Sequence, residues 1–343
     1  MPENDLPLVH LPLICVDMGT TRTRVWITAN GQVTASLDSD FGARDSDPNY
    51  PAELEARLTE LIDAAIEKAS LEGPTARPRF VVASGMITSK QGLREIPHQL
   101  APAGLEELAS GVQIFQTPLS TARNLTWALI PGIRTSPCGQ ADRENIAEAD
   151  IMRGEETLAI GLLRSNRLQP QHLLITLGSH WKAIAIDRSA RIAASRTTIT
   201  GELIHVTQTE TLLANSLPTG KPTTLDDDWL NAGSEEVRRN GLTRALFCIR
   251  LLDQAESGTP EQRLSYLYGA FIEQELDGLE RSHLLNDIKA VLLSGNPPVA
   301  RAIANRLQHK GIPVEVLPED DREAAFLSGL EAIFARSQTQ SNT

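Results

Sequence analysis

Cysteine is scarce. There are three, Cys15, Cys138 and Cys248, far apart and without a CxxC pair, so neither a disulfide framework nor a zinc site is suggested. No uninterrupted apolar segment reaches membrane-spanning length. The opening MPENDLPLVHLPLICVDMG lacks a basic leader region, and its apolar run is broken by His10 and Pro12, so it does not read as a signal peptide; the cytoplasm is the expected compartment. Positive charge is also short: the formal net charge is −12, which argues against a general nucleic-acid or anionic-membrane surface, so a polyanionic ligand needs a local basic pocket. Finally, neither GxxxxGK[ST] nor a GxGxxG following a strand occurs, which speaks against a P-loop or dinucleotide enzyme.

What remains is an ordinary globular composition, 41% hydrophobic and 22% charged, over 343 residues, enough for about two domains with proper cores. The stretch ICVDMGTTRTRVW, residues 14–26, sets a carboxylate at the end of an apolar strand. Leu11, Leu13, Ile14 and Val16 read as that strand and Arg24 to Ile27 as the next, with Met18 to Thr23 as the turn. Gly19 removes a Cβ, and Thr20 and Thr21 offer hydroxyls and successive N–H groups, a combination suited to an anion. Asp17 can then hold Mg²⁺, through waters, beside phosphates. An ordinary turn between two strands is the plainer reading of the same residues.

Along the chain the pattern predicts a third strand at Gln32 to Leu37, a helix from Ala52 to Leu71 and a buried strand from Arg79 to Ala83 stopping at Ser84-Gly85. Residues 86–150 are loop-rich, with short strands at Val112 to Gln116 and Trp127 to Ile130, and are where substrate-specific elements are expected. LLITLGSHWKAIAID, residues 173–187, repeats the opening design of strand, Gly178 with a hydroxyl neighbour, and second strand. A third strand (Arg191 to Arg196), helices at Gly201 to Leu213, Ala232 to Ser257 and Pro260 to Leu279, and a strand at Ile288 to Leu293 follow. Helix Val299 to His309, strand Val314 to Leu317 and helix Glu323 to Ala335 precede a polar tail, RSQTQSNT. Meeting the same design twice predicts two related α/β domains with a ligand cleft between them.

DMGTT near the start, the glycine-serine hairpin in mid-chain and LLSGNPPVARAIANRL near the end, in that order, resemble the sugar kinases of the acetate-kinase, hexokinase and actin superfamily. The resemblance implies two ribonuclease-H-like (actin-like ATPase) domains, 1–168 and 169–335, then a tail at 336–343, with ATP and substrate in the interdomain cleft. More narrowly, GMITSKQG at 85–92, IPGI at 130–133, MRGEET at 152–157, LGSH at 177–180 and TITGEL at 198–203 resemble the 2-dehydro-3-deoxygalactonokinase family over nearly the whole chain. That family implies ATP- and Mg²⁺-dependent phosphorylation of the 6-hydroxyl of 2-dehydro-3-deoxy-D-galactonate. Two rivals stay open: a kinase of another sugar or sugar acid, and a non-catalytic nucleotide-binding switch. A homo-oligomer is compatible with all three.

The roles carried over are these. Asp17 serves the Mg²⁺ side, and Gly19, Thr20 and Thr21 line the β- and γ-phosphates. Gly178, Ser179 and Lys182 form the opposing loop, where His180 either touches phosphate, orients Ser179 or is structural. Gly201 begins a ligand-facing helix capped by Thr200, unless the turn is a plain cap. Gly295 and Asn296 contact adenosine, or merely turn the chain from strand to helix with Asn296 as N-cap. Glu155 is the base, with Glu156 as the alternative; either is also a normal first-turn residue. Lys90, Arg94 and Arg153 are equal choices for the substrate carboxylate. Two departures stand out. The family's second loop is closer to PGTH, a small residue, then Lys-Trp, whereas here Trp181 precedes Lys182; and Pro297-Pro298 restrict the third loop.

Overall fold

The computed structural model describes residues 12–45, 51–69, 78–116, 125–135, 143–144 and 146–340. They form two compact units: the described residues up to Gln169 with Ser189–Ala194 and 322–340, and Pro170–Arg188 with Ser195–Asp321.

In the first unit β1 (Leu13–Met18), β2 (Thr23–Ala29) and β3 (Gln32–Ser39) form an antiparallel meander. Helix α1 (Pro51–Ala69) then carries the chain to β4 (Phe80–Gly85), which pairs parallel to β1. After β5 (Gln99–Leu100), α2 (Leu105–Ser110), β6 (Gln113–Gln116), β7 (Thr126–Leu129), β8 (Ile133–Arg134) and β9 (Ile151–Met152) comes α3 (Glu155–Arg164). The main sheet runs β3-β2-β1-β4-β7-β6, and β5-β8-β9 make a small second sheet that the sequence pattern did not reveal. Strand alternation divides the main sheet into two faces. Ile14, Val16, Met18, Val25, Ile27, Val81 and Ala83 pack with Leu54, Leu58, Ile62 and Ala65 of α1. Asp17, Arg24 and Ser84 belong to the other face.

The second unit repeats the plan. β10 (His172–Leu177) and β11 (Trp181–Ile186) form the hairpin, and β12 (Ile192–Thr198) continues it. α4 (Thr200–Thr209), α5 (Asp227–Asn240), α6 (Leu242–Gln254) and α7 (Pro260–Arg281) lead to β13 (Ala290–Gly295), parallel to β10. α8 (Pro297–His309) and β14 (Val314–Val316) complete a sheet ordered β12-β11-β10-β13-β14. The helix expected at 232–257 is two helices, because Gly241, at φ 81°, ends α5 and restarts the chain as α6. α7 starts on a reciprocal cap: Thr259 Oγ1 accepts from the Gln262 N–H while the Gln262 side chain accepts from the Thr259 N–H.

The duplication extends to register. Asp17 lies opposite Arg24 on β2 and Ser84 on β4; Thr176 lies opposite Lys182 on β11 and Ser294 on β13. Each polar row is followed by a glycine of positive φ, Gly85 or Gly295. The last helix, α9 (Glu319–Gln340), corrects the expected domain limits. It returns to the first unit because its apolar side has partners there: Phe326 lies 6.0 Å from Trp26 and Phe334 5.2 Å from Phe80, between ring centroids. It also runs through the supposed tail as far as Gln340, with Arg336 paired to Glu106 at 2.7 Å. α3 crosses it closely, since a Cβ on Gly161 would stand 1.7 Å from the Ala325 carbonyl oxygen.

Candidate active site

Asp17 sits where β1 ends, and the positions facing it are glycine. Gly85 (φ 90°) and Gly154 (φ 108°) adopt backbone conformations that side chains resist, and a Cβ on Gly85 would lie 2.5 Å from the Met18 carbonyl oxygen and 3.3 Å from Asp17 Oδ1. A Cβ on Gly154 would come within 3.5 Å of Gly85 Cα and 3.9 Å of Asp17 Oδ1. The end of β4 and the turn before α3 therefore leave the space in front of Asp17 to the carboxylate. Its side chain is 21% exposed, with Arg24 Nη1 at 3.9 Å. Burial pushes the Asp17 carboxyl above its usual range, Arg322 and Arg24 pull it back, and Glu155 adds to the rise.

The hairpin tip beside it is held by its own backbone. The Gly19 N–H donates to the Arg22 carbonyl at 2.8 Å, while the carbonyls of Gly19 and Thr20 accept from the N–H groups of Ala43 and Arg44 at 3.1 and 2.9 Å. The FGARD segment, which sequence reasoning passed over as part of an acidic loop, thus braces Gly19 and Thr20.

MRGEET opens α3 with Gly154 as N-cap, Glu155 as the first helical residue and Glu156 as the second. The two glutamates have different surroundings. Glu155 is half-buried, whereas Glu156 is fully buried. Both Glu156 oxygens accept from the Gly154 N–H at 2.8 Å, and Oε1 also accepts from Ser84 Oγ at 3.1 Å and Thr157 Oγ1 at 3.3 Å. Burial foremost, then the Glu155 charge, push the Glu156 carboxyl up to about 7 against those hydrogen bonds. Arg153 is turned the other way: Nη1 donates to Thr88 Oγ1 and Nη2 to the Ile96 carbonyl, both at 2.8 Å, with His98 Nδ1 at 3.4 Å. Its alternative fate as a surface ion pair is replaced by this brace of the 88–98 loop. On that loop Lys90 is exposed, and the Arg94 guanidinium stacks 4.8 Å from the Phe115 ring centroid.

In the second unit the LGSH and TGEL motifs meet. Gly201 packs so tightly that a Cβ there would lie 2.1 Å from the Gly178 carbonyl oxygen, the Glu202 N–H donates to the Ser179 carbonyl at 3.0 Å, and His180 Nε2 reaches Glu202 Oε1 at 2.9 Å. His180 is thereby committed to the start of α4, and Gly178 and Ser179 are left exposed. Thr200 is not the cap: Ile199 holds that position, and the Thr200 hydroxyl bonds to Glu275. Lys182 lies within β11 rather than in the loop and is 5% exposed, while Trp181 on the opposite face joins the core of this unit. Asn296 is the N-cap of α8, but its side chain caps nothing; Nδ2 donates to the Pro222 carbonyl at 3.3 Å, and both Asn296 Oδ1 and Ser294 Oγ are buried without a hydrogen-bond partner. Orphaned acceptors at the end of β13 suit a polar ligand there.

Among the described residues no group of three or more His, Cys, Asp and Glu could hold a metal. A single carboxylate, Asp17, fits Mg²⁺, which keeps waters and substrate phosphate oxygens around one or two protein ligands. No helix of the described residues is long and apolar enough to cross a membrane.

A duplicated hairpin-led α/β sheet defines the actin-like fold of the sugar kinases, and comparison with known proteins bears this out. The match to the 2-keto-3-deoxy-galactonokinase family model spans residues 17–333, and the chain belongs to that family, a phosphotransferase of the sugar-acid kinase class. It is 27% identical over 321 residues to the 2-dehydro-3-deoxygalactonokinase of Escherichia coli strain K12, covering 93% of this chain and 96% of that one. In fold it is similar to a Sinorhizobium meliloti protein described as a candidate 2-dehydro-3-deoxygalactonokinase, with TM-score 0.70, 23% identity and coverage of 94% and 95%. It is also similar to a xylulose kinase of Lactobacillus acidophilus, with TM-score 0.51, 12% identity and coverage of 97% and 90%.

Proposed function

We propose that the protein transfers the γ-phosphoryl group of ATP to the 6-hydroxyl of 2-dehydro-3-deoxy-D-galactonate, giving the 6-phosphate and ADP. The observation that carries this reading is the convergence of Asp17, Gly85, Gly154 and the start of α3, which sets two carboxylates of different environment beside a space kept open by glycines. Family membership supplies the sugar acid.

In this reading Asp17 holds Mg²⁺, which supplies neutralisation of phosphate charge when bound. Gly19, Thr20 and Thr21 are the phosphate-binding residues of the first unit and Gly178, Ser179 and Lys182 those of the second, where Gly201 keeps the loop in place and Gly295 with Asn296 receives adenosine. Glu155 accepts the proton of the 6-hydroxyl as its oxygen bonds to phosphorus and the bond to ADP breaks. Glu156, occupied by three donors, is a poorer acceptor. For the substrate carboxylate Lys90 is the first choice, being exposed and close in sequence to the brace made by Arg153; Arg94 follows.

Glu155→Gln tests the assignment. Its kcat should fall by roughly 10²–10⁴-fold, while ATP binding measured by calorimetry stays within about twofold of wild type, since a base contributes to transfer and not to nucleotide affinity. Unchanged kcat would remove Glu155 from the mechanism.

A further inference from the structure

Glu156 is a fully buried carboxylate that the proposed chemistry does not use, and its partners tie together the two elements that the chemistry does use. Ser84 on β4 is the register neighbour of Asp17 on β1. The Ser84 hydroxyl donates to Glu156 Oε1 at 3.1 Å and lies 2.8 Å from Thr157 Oγ1. The Gly154 N–H, in the turn immediately before Glu155, is shared between the two Glu156 oxygens at 2.8 Å each. Both the Ser84 hydroxyl and the Gly154 N–H supply hydrogens to the carboxylate. A backbone turn at φ 108° and a strand end are thus fastened to one side chain.

We infer that Glu156 is a positioning residue: by clasping the Gly154 turn to Ser84, it fixes the separation and aim of Glu155 relative to Asp17. This rests on the reading of Glu155 as base. The physical reason is that a proton acceptor must be held to within a fraction of an ångström, and a half-buried first helical residue does not hold itself so closely. A helix-start glutamate serving only the helix dipole would remain solvated; this one is sealed against a strand and shares its donors with a second hydroxyl.

The test is a double-mutant cycle on the full chain with Glu156→Gln, Glu155→Gln and both. An amide at position 156 keeps one acceptor oxygen but sets its NH₂ against the Gly154 N–H in place of the second, which loosens the clasp. Expected for E156Q is a fall in kcat on the order of tenfold or more, KM values for ATP and sugar acid within about twofold of wild type, and no further fall when E156Q is added to E155Q. A wild-type kcat in E156Q overturns the proposal, as does an undiminished effect in the E155Q background. If E156Q fails to fold, Ser84→Ala removes the strand partner alone and should lower kcat severalfold with the same dependence on Glu155; independence overturns the proposal. The underlying assignment fails separately, by an E155Q variant with wild-type kcat. In that event loss of kcat in E156Q makes Glu156 itself the proton acceptor and overturns the positioning role.

Discussion

Adjacent glutamates at 155 and 156 look interchangeable in sequence and differ most in the folded chain. Burial and the Glu155 charge raise the Glu156 carboxyl to about 7 from an ordinary 4.5, so the native state holds a proton that the unfolded chain releases between those values. The stability this contributes is present below the unfolded value and is lost as pH rises through about 7. E156Q, which cannot titrate, should therefore gain melting temperature relative to wild type as pH is raised across that window; thermal melts at several pH values check this, and a difference that stays flat contradicts it. Gly154→Ala should lower stability by about 1–2 kcal/mol through its positive φ, read from chemical denaturation, and should cut kcat because the turn carries Glu155. Asp17 was legible as a candidate from the strand end, and the MRGEET glutamates were legible as candidates chiefly from the family resemblance. Ser84 and Thr88 were not, because a serine or threonine declares its role only through partners 65 or more residues away.

Whole elements were legible where periodicity was strong, as in α1, the two hairpins and α8. They were missed where a single residue decides. Gly241 splits a predicted helix because the apolar period continues across it while the backbone does not, and β5, β8 and β9, two residues each, are too short to show a period. The LGSH and TGEL motifs were seen separately, but nothing local announces that Gly201 must be bare for the Gly178 and Ser179 carbonyls to approach it. Gly201→Ala should displace that loop, raising KM for ATP several-fold with little change in the far-UV circular dichroism spectrum; an unchanged KM would separate the loop from nucleotide binding. At the crossing of α3 and α9, Gly161→Ala drives a methyl into the Ala325 carbonyl and should cost on the order of 1–3 kcal/mol by overpacking. Denaturant midpoints measure it directly.

At the scale of the molecule, the duplication was legible from Val16-Asp17-Met18-Gly19-Thr20 set against Ile175-Thr176-Leu177-Gly178-Ser179, and the register rows of the two sheets carry it further than the sequence does. The return of α9 to the first unit was hidden, since chain order assigns a last helix to the domain it follows and only the packing of Phe326 and Phe334 reassigns it. With a net charge of −12, a kinase of this family needs local positive charge for its anionic substrates, and in the first unit Arg24, 3.9 Å from Asp17, and the exposed Lys90 can supply it. The central claim is sugar-acid phosphorylation. The most direct test is coupled ADP release with Mg-ATP and a panel of 2-dehydro-3-deoxy-D-galactonate, its gluconate epimer and neutral sugars. The account predicts ADP release that depends on the galactonate compound and exceeds that with every other member of the panel. Turnover of a neutral sugar in its place, or ADP release indifferent to any acceptor, would contradict it.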